Sequence, residues 1–337
     1  MKKAYTFDDV ALVPQFNNIP SRTEPALDTW LTKDLKIDMP IVASNMDTVI
    51  CEPLAYVLLK NGSMPIYHRF STFEQTKAWI KQFENKTFIS SGIIKLEETF
   101  ILLELGALGV CIDVAHGHSN RMFNCISEIK KKFPTKQVIA GNVCTAMAYH
   151  DLVNAGADAV KVGIGPGACC TTRVITGFGV PQFTAIRECA KVADKLRVPL
   201  IADGGIRTSR DVVLALAAGA SSVMLGKLFA LTEESAAPKR ESQKYPGCME
   251  AKYRGQASED FQHSFYGGLK EKTVAEGVDF WAPVSGPAEK LINNMLGGLR
   301  SGMTYGGARS IKELQRKAEF VVVNPESYRT ESYPRPV

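Results

Sequence analysis

The chain has 337 residues, of which 45% are hydrophobic, and a formal net charge of +5. This length allows a large core in one domain or two, and no run of about 18 apolar residues predicts a membrane span. The basic residues are dispersed apart from Lys130–Lys132, so we expect no nucleic-acid binding. The N-terminus lacks the apolar run of a signal peptide and the eight cysteines form no CxxC pair, which favours a cytoplasmic protein with free thiols.

Short apolar runs recur along the chain, each followed by turn residues or a polar cluster. Eight of them have the length and continuous apolar character of parallel strands buried on both faces: residues 39–47, 63–69, 88–93, 109–116, 137–143, 159–165, 199–205 and 222–227. Segments with helical periodicity lie between them, most clearly at 119–133 and 209–220. This alternation predicts one α/β domain over residues 1–337, a (β/α)8 TIM barrel, and leaves a doubly wound open sheet as the alternative.

The segment from about residue 231 to residue 285 differs from the rest of the chain. It is rich in Gly, Ser, Lys and Glu and has little sustained apolar period. Long excursions from a compact fold are usually functional lids or disordered segments. We therefore expect a long flap after strand eight, within the barrel domain.

The segment GIGPGACCTTR, residues 163–173, directly follows the sixth predicted strand. In a barrel this position lies on the catalytic face. Glycines let backbone groups approach a ligand or an ion closely, and nearby amides lower the pKa of a thiol and make its thiolate a strong nucleophile. Thr172 lies two residues after Cys170, close enough to share in proton transfer. Taken alone, a turn around a buried thiol explains the segment as well.

Two further glycine turns follow strands seven and eight, and barrels commonly bind phosphate with these two loops. Asp203, ahead of Gly204 and Gly205, is suited to accept hydrogen bonds from ribose hydroxyls. Gly226 and Lys227 are suited to donate to phosphate. Two tight turns with a capping aspartate are the alternative. The combination of phosphate loops, nucleophile loop and flap predicts a nucleotide whose reacting atom meets a thiol.

Nine motifs, in order from about residue 6 to residue 308, carry a family resemblance. They are TFDDVALVP, SNMDTV, CIDVAHGHS, AGNV, AGADAVKVGIGPGACCTTRVITGFGVPQ, ADGGIRT, VMLGKLFALTEES, YRGQAS and MLGGLRSGMTYGGA. Together they resemble the IMP dehydrogenase and GMP reductase family, to which the loop pattern GIGPGxxCTTR is highly specific. The resemblance implies a (β/α)8 barrel, usually a homotetramer, with chemistry at C2 of a purine nucleoside monophosphate.

The resemblance also implies a role for individual residues. Cys170 matches the nucleophile, Thr172 and Glu276 match the groups that handle protons, and Cys169 is expected to be a bystander. The residues expected to bind the nucleotide (GMP or IMP) are Ser44, Met46, Asp203, Gly204, Gly205, Gly226, Lys227, Gly255, Gln256 and Ala257. Those expected to bind the NADPH cofactor are Ser21, Arg22, Arg69, Asp113, Val114, Ala115, Ile164 and Gly165. The carbonyls of Gly165, Gly167 and Cys170 match a potassium site.

Two reactions in this family share a cysteine thioimidate. The dehydrogenase passes hydride from IMP to NAD and hydrolyses the intermediate to XMP, whereas the reductase expels ammonia from GMP and reduces the intermediate with NADPH. Many dehydrogenases carry CBS modules after the second strand, and here only residues 70–87 separate strands two and three. The dehydrogenase flap supplies an Arg-Tyr pair that activates water, but Phe265 precedes Tyr266 here and no arginine lies between Arg254 and Arg300.

These features favour a GMP reductase. Ser21, Arg22 and Arg69 would supply the polar and cationic groups that the 2′-phosphate of NADPH requires, although solvated surface cations explain them as well. Some motifs depart from the usual reductase pattern, namely TVAEG, GQAS and LGK. The alternatives are an IMP dehydrogenase without CBS modules and a non-catalytic nucleotide-binding regulator built on the same barrel.

Overall fold

The computed structural model describes residues 1–94, 96–244 and 246–332. Its strands are β1 (Val10–Leu12), β2 (Thr29–Thr32), β3 (Leu35–Ile37), β4 (Ile41–Ala43), β5 (Phe88–Ser91), β6 (Gly109–Asp113), β7 (Gln137–Val143), β8 (Ala159–Val162), β9 (Leu200–Asp203), β10 (Ser222–Leu225), β11 (Lys239–Glu241), β12 (Met249–Arg254), β13 (Asp279–Pro283) and β14 (Phe320–Val322). Its α-helices are α1 (Glu52–Lys60), α2 (Phe73–Gln82), α3 (Leu96–Glu104), α4 (Asn120–Lys132), α5 (Ala146–Asn154), α6 (Thr172–Thr176), α7 (Gln182–Leu196), α8 (Ser209–Ala217), α9 (Lys227–Ala230), α10 (Glu259–Tyr266), α11 (Ala288–Tyr305), α12 (Ile311–Lys317) and α13 (Pro325–Ser332). A 3-10 turn covers Phe7–Asp9.

Seven parallel strands form one curved sheet in the order β4, β10, β9, β8, β7, β6, β5. The eighth segment lies between β5 and β4 and closes the ring: Ile66 bridges to Phe88, and the Ser63 hydroxyl donates to the Ile41 carbonyl at 2.6 Å. Seven of the eight predicted apolar runs thus contain strands of this sheet. The second run is reduced to a single bridge residue, because Pro65 has no amide hydrogen to donate to a ladder. The TIM barrel predicted from the alternation is confirmed.

Two apolar cores stabilise the barrel. One fills the barrel interior. It consists of buried side chains from the barrel strands together with Leu31 and Ile37 of the β2–β3 hairpin. The barrel side chains are Val42, Ile66, Phe88, Cys111, Ile139, Ala159, Ile201 and Met224. The other lies between the sheet and the surrounding helices. Strands buried on both faces explain the continuous apolar runs.

The packing of α11 against α8 shows at which end of the barrel α11 ends. α8 starts just after the carboxyl end of β9, and α11 lies against it in the same direction. A Cβ at Gly298 would lie 2.2 Å from the Ser209 hydroxyl, and one at Gly302 would lie 2.8 Å from Val213 Cγ1. The carboxyl end of α11 therefore lies at the amino ends of the strands, opposite the loops that follow their carboxyl ends.

The long excursion after β10 contains a small sheet of its own. β11, β12 and β13 pair antiparallel in that order, and α10 lies between β12 and β13 in the chain. Its strands are too polar to show an apolar period, because β12 reads MEAKYR and β11 reads KRE. In the described part of the chain, no helix is long and apolar enough to cross a membrane.

Candidate active site

The loops after β8 and β9 meet at the carboxyl end of the barrel. Gly204 has φ +90°, and a Cβ there would lie 2.9 Å from Pro166 Cγ and 3.1 Å from the Gly167 nitrogen. Gly205 has φ +82°, and a Cβ there would lie 3.4 Å from Pro166 Cβ. Both positions favour glycine because of the left-handed conformation, so the ADGG turn can pack directly against the GIGPG loop.

Three side chains form a hydrogen-bonded chain at the end of this loop. The Cys170 thiol donates to Thr172 Oγ1 at 3.2 Å, and that hydroxyl donates to Glu276 Oε2 at 2.9 Å. All three residues are partly buried. Each link carries a proton in the direction of the carboxylate, so the arrangement can move a proton between the thiol and Glu276.

Backbone pairing brings Glu276 to the nucleophile loop although the two are far apart in sequence. The Thr171 amide donates to the Glu276 carbonyl at 3.0 Å, and the Val278 amide donates to the Cys169 carbonyl at 2.9 Å. The Glu276 amide donates to the Ala257 carbonyl at 3.0 Å. A Cβ at Gly277 would lie 3.0 Å from the Cys169 carbonyl, so a glycine permits this close approach.

The two adjacent cysteines lie in different environments. The Cys169 side chain is buried, with 3% exposure, and its thiol donates to the Tyr253 carbonyl at 3.7 Å. Burial raises the pKa of Cys169 to about 12, so it stays a thiol at neutral pH. Cys170 is the one whose sulfur reaches the Thr172 hydroxyl.

Ser44, Gly226 and Tyr253 converge where β4 and β10 end. A Cβ at Gly226 would lie 2.5 Å from the Tyr253 hydroxyl and 3.3 Å from Ser44 Oγ. The Tyr253 hydroxyl also lies 3.4 Å from the Met46 sulfur. Lys227, expected to bind phosphate, is exposed and its ammonium lies 5.3 Å from the centre of the Phe280 ring. Tyr253 belongs to this group; it opens the YRGQAS motif but is not among the residues expected to bind the nucleotide.

The Gly255–Ala257 turn lies between the SNMD loop and the nucleophile loop. Gln256 Nε2 donates to the Asn45 carbonyl at 3.0 Å. A Cβ at Gly255 would lie 3.1 Å from the Cys169 carbonyl, so this turn also approaches the nucleophile loop closely. The three loops thus form one wall beside Cys170.

The carboxyl ends of four adjacent strands carry a buried polar network. Lys161 Nζ on β8 donates to Asp113 Oδ1 at 2.7 Å and to Asp203 Oδ2 at 2.9 Å. Asn142 Nδ2 donates to Asp203 Oδ2 at 2.9 Å and to the Gly163 carbonyl at 2.8 Å. Burial alone lowers the pKa of Lys161, but the charges of Asp113 and Asp203 outweigh it and raise that pKa above its ordinary value.

Most residues expected to bind the cofactor lie at this same end. Asp113 ends β6 and belongs to the network just described. Val114 and Ala115 follow β6, and Ile164 and Gly165 come shortly after β8, so these four residues flank it.

Arg69 also offers a group that a cofactor could bind. Its guanidinium carbon lies 4.4 Å from the centre of the Phe70 ring. Its Nε is buried and has no hydrogen-bond partner among the described residues. A buried donor without an acceptor is unfavourable, so Arg69 fits an anionic group such as a phosphate.

Ser21 and Arg22 lie away from the nucleophile. Both are exposed, and the Arg22 guanidinium carbon lies 5.9 Å from the centre of the Tyr305 ring. Tyr305 ends α11, at the amino end of the barrel. Within one chain, the structure therefore does not bring Ser21 and Arg22 together with Cys170.

The three carbonyls expected to bind potassium lie in the nucleophile loop. The Gly167 carbonyl accepts from the Cys170 amide at 3.0 Å. The carbonyls of Gly165 and Cys170 accept no hydrogen bond from any described residue. Two uncommitted carbonyl oxygens and one shared oxygen fit a weakly hydrated monovalent cation.

Comparisons with known proteins identify the family. A family model described as the IMP dehydrogenase / GMP reductase domain matches residues 4–334. The inosine-5'-monophosphate dehydrogenase of Aquifex aeolicus is 48% identical over 247 residues, which cover 72% of this chain and 50% of that relative. The chain thus spans about half the length of that relative.

Two further proteins match along at least 95% of the chain. The GMP reductase of Enterococcus faecalis is 41% identical over 330 residues, covering 95% of this chain and 97% of that protein. A crystal structure of GMP reductase from Trypanosoma brucei in complex with guanosine 5'-monophosphate is 26% identical, with a TM-score of 0.92 over 100% of this chain and 99% of that one. The chain therefore belongs to the IMP dehydrogenase and GMP reductase family.

Proposed function

We propose that this oxidoreductase-family chain is a GMP reductase, which converts GMP and NADPH to IMP, ammonia and NADP⁺. The observation that carries the proposal is the chain from the Cys170 thiol through Thr172 to Glu276, with links of 3.2 and 2.9 Å. It joins a nucleophile to a carboxylate that can take the thiol proton and later return it to a leaving group.

The first half of the proposed reaction exchanges nitrogen for sulfur at C2 of the purine. The Cys170 thiol passes its proton through Thr172 to Glu276, and the thiolate adds to C2 of GMP. Glu276 then protonates the 2-amino group as the C2–N bond breaks, so ammonia leaves and a thioimidate remains on Cys170. A positioned acid of this kind is typically worth roughly 10²–10⁴-fold in rate.

The second half is the reduction of this thioimidate. Asp113 at the end of β6 and the loops after β6 and β8, with Ile164 among their residues, would hold NADPH, which would supply the hydride to C2. The C2–S bond then breaks and IMP leaves as the thiolate departs. Glu276, which gave its proton to ammonia, takes up a proton from solvent and passes it through Thr172 to Cys170. Asp203 and the Ser44, Gly226 and Tyr253 cluster would hold the ribose and the phosphate. Potassium, held by the carbonyls of Gly165, Gly167 and Cys170, would stabilise the loop conformation.

Residues 255–299 hold no arginine that could activate water for the dehydrogenase reaction, and Arg254 just before them is engaged by carboxylates. Arg254 Nε donates to Asp47 Oδ2 at 2.9 Å, and its Nη1 donates to Asp260 at 2.9 Å and to Ser264 at 2.8 Å. An arginine engaged by two carboxylates keeps its proton and is a poor base. This supports release of ammonia over hydrolysis.

One observation favours the dehydrogenase reaction, in which IMP and NAD give XMP: the Aquifex aeolicus dehydrogenase is 48% identical to the chain over 247 residues. Product analysis separates the two. Purified protein with GMP and NADPH should give IMP and ammonia, and with IMP and NAD it should give little or no XMP. Steady XMP formation faster than GMP reduction would overturn the proposal and direct attention to His263 and Tyr266. Failure of both reactions would favour a nucleotide-binding regulator.

A further inference from the structure

The proposed function leaves unused the ammonium group inside the barrel. The Lys161 side chain is only 2% exposed, and it interrupts an apolar strand that reads AVKV. Burying an ammonium costs free energy unless ionic partners compensate. Its two partners are Asp113 and Asp203, which are 14% and 18% exposed and lie at the carboxyl ends of β6 and β9.

The space for this side chain is built into the neighbouring strand. A Cβ at Gly141 would lie 2.6 Å from Lys161 Cβ and 3.0 Å from its carbonyl oxygen. Any larger residue at 141 would displace the lysine or separate the strands. The network also reaches the nucleophile loop, because Asn142 donates both to Asp203 and to the Gly163 carbonyl.

The charges explain why a cation is needed at this point. Asp113 Oδ1 and Asp203 Oδ2 lie within 2.9 Å of the same nitrogen. Two carboxylates held so close repel each other in a partly desolvated site unless a cation lies between them. Without the ammonium, Asp113 would lose this cationic partner and Asp203 would keep the Asn142 amide, so no charge would hold the two carboxylates in their present directions.

We infer that Lys161 is a positioning residue that holds the nucleotide carboxylate, Asp203, and the cofactor carboxylate, Asp113, in one arrangement. The inference rests on the proposed function, in which these two aspartates face different ligands. One buried ammonium then sets the affinity for both. Removing it weakens nucleotide and cofactor binding together, whereas changing either aspartate affects mainly its own ligand.

The test measures binding of IMP and of NADPH separately, so that no turnover occurs. Lys161→Met should raise the dissociation constants of both ligands by about tenfold or more, as expected when charged hydrogen bonds lose their geometry. Asp203→Asn should raise mainly the dissociation constant of IMP, and Asp113→Asn mainly that of NADPH. In the double variant Lys161→Met with Asp203→Asn, the dissociation constant for IMP should be at most about twofold higher than in the single variant that binds IMP more weakly. The two effects should not multiply, because both changes disrupt one unit.

Lys130→Met is the matched control. Lys130 also donates to a buried carboxylate, Asp158, at 2.9 Å, but Asp158 accepts from the Val138 amide at the amino end of β7. This control should lower the melting temperature and leave both affinities unchanged. If Lys161→Met does not fold, Lys161→Gln, with one amide donor, gives the same comparison.

Unchanged affinities in a folded Lys161 variant would overturn the inference, as would a loss confined to one ligand. These outcomes differ from failure of the proposed function. In that case the unmodified protein would itself bind neither IMP nor NADPH, or would not reduce GMP.

Discussion

Cys169 and Cys170 illustrate how position alone separates two identical side chains. One sulfur faces the interior and the carbonyl of Tyr253, and the other faces a hydroxyl that leads to Glu276. The chemical difference comes from the turn of the backbone between them. The sequence motif alone assigns Cys170 by register, and the structure gives a physical reason for the same choice.

Replacing Cys170 with Ala should abolish GMP reduction while IMP still binds, because the variant loses the nucleophile and keeps the binding loops. Cys169→Ala should keep most of the activity and cost about 1 kcal/mol of the free energy of unfolding, as is typical of a small buried change. Steady-state rates and IMP titration measure both. An active Cys170→Ala protein beside an inactive Cys169→Ala protein would reverse the assignment.

A thiol reagent offers a second check on the same pair. Cys170 is partly exposed and Cys248 is exposed, whereas burial holds the pKa of Cys169 near 12. Iodoacetamide at pH 7.5 should therefore modify Cys170 and Cys248 and spare Cys169, which peptide mass spectrometry would show. IMP should protect Cys170 but not Cys248.

Glu276→Gln should lower kcat by about 10²–10⁴-fold, because an amide cannot accept and return the proton. Affinity for IMP should change little, since the side chain keeps its shape. Measurement of kcat and KM for GMP, with ammonia release, checks this. Glu259→Gln is the control: it removes an exposed carboxylate of α10 without touching the relay, and a comparable loss there would contradict the assigned role of Glu276.

At the scale of elements, α10 is fastened to the barrel by charge and by aromatic packing. Arg254 joins Asp47 of the barrel to Asp260 of the helix. Phe261 is fully buried and its ring centre lies 4.6 Å from that of Phe70. These contacts hold the Gly255–Ala257 turn and the helix as one unit.

Arg254→Gln should loosen this helix and lower GMP reduction by about tenfold or more, since hydrogen bonds to charged groups contribute about 1.5–3 kcal/mol each. Limited proteolysis should cut residues 259–275 faster than in the unmodified protein. Arg187→Gln is the control, because Arg187 lies over the Phe320 ring at 4.9 Å outside the site. Unchanged proteolysis and rate in Arg254→Gln would show that the helix is held by its apolar contacts alone.

The barrel strands can be predicted from sequence patterns, whereas the β11–β13 sheet cannot. Barrel strands are predictable because burial on both faces demands continuous apolar runs, as in β4, which reads IVA. The β11–β13 sheet is not predictable in this way, since β11 and β12 mix charged and apolar residues, as in KRE and MEAKYR. Tyr253 joins Ser44 only through that sheet, so its place in the site follows from tertiary structure.

For Lys161, the sequence predicts part of the structure but not its partners. A charged residue inside an apolar strand is a local signal that something must compensate for its burial. The sequence does not say which carboxylates do so, because Asp113 and Asp203 lie on other strands. The parallel pairing of β6, β7, β8 and β9 brings these three residues together.

At the scale of the whole molecule, Ser21 and Arg22 lie at the amino end of the barrel and Cys170 at the carboxyl end. If these two residues contribute to NADPH binding, they must serve a neighbouring subunit of the expected tetramer. The reacting end of the cofactor would then be held by one chain and its adenosine end by another.

Subunit mixing tests this directly. Arg22→Glu and Cys170→Ala proteins should each reduce GMP poorly, but co-assembled subunits should regain activity, because some sites would combine an intact Cys170 with an intact Arg22 from the partner chain. Rates of separately purified and co-expressed mixtures give the comparison. No recovery in verified mixed oligomers would argue that each chain binds NADPH alone, or that Arg22 takes no part.

The backbone pairing between residue 276 and the nucleophile loop has a consequence for the order of events. Glu276 enters the relay only when its segment pairs with both Thr171 and Ala257. If that segment were displaced, the thiol would lose its proton acceptor and ammonia would lose its acid at the same moment. In the proposed reaction, bond breaking at C2 would then require this segment to be paired with the loop of Cys170, because the segment that covers the site would also carry the catalytic acid.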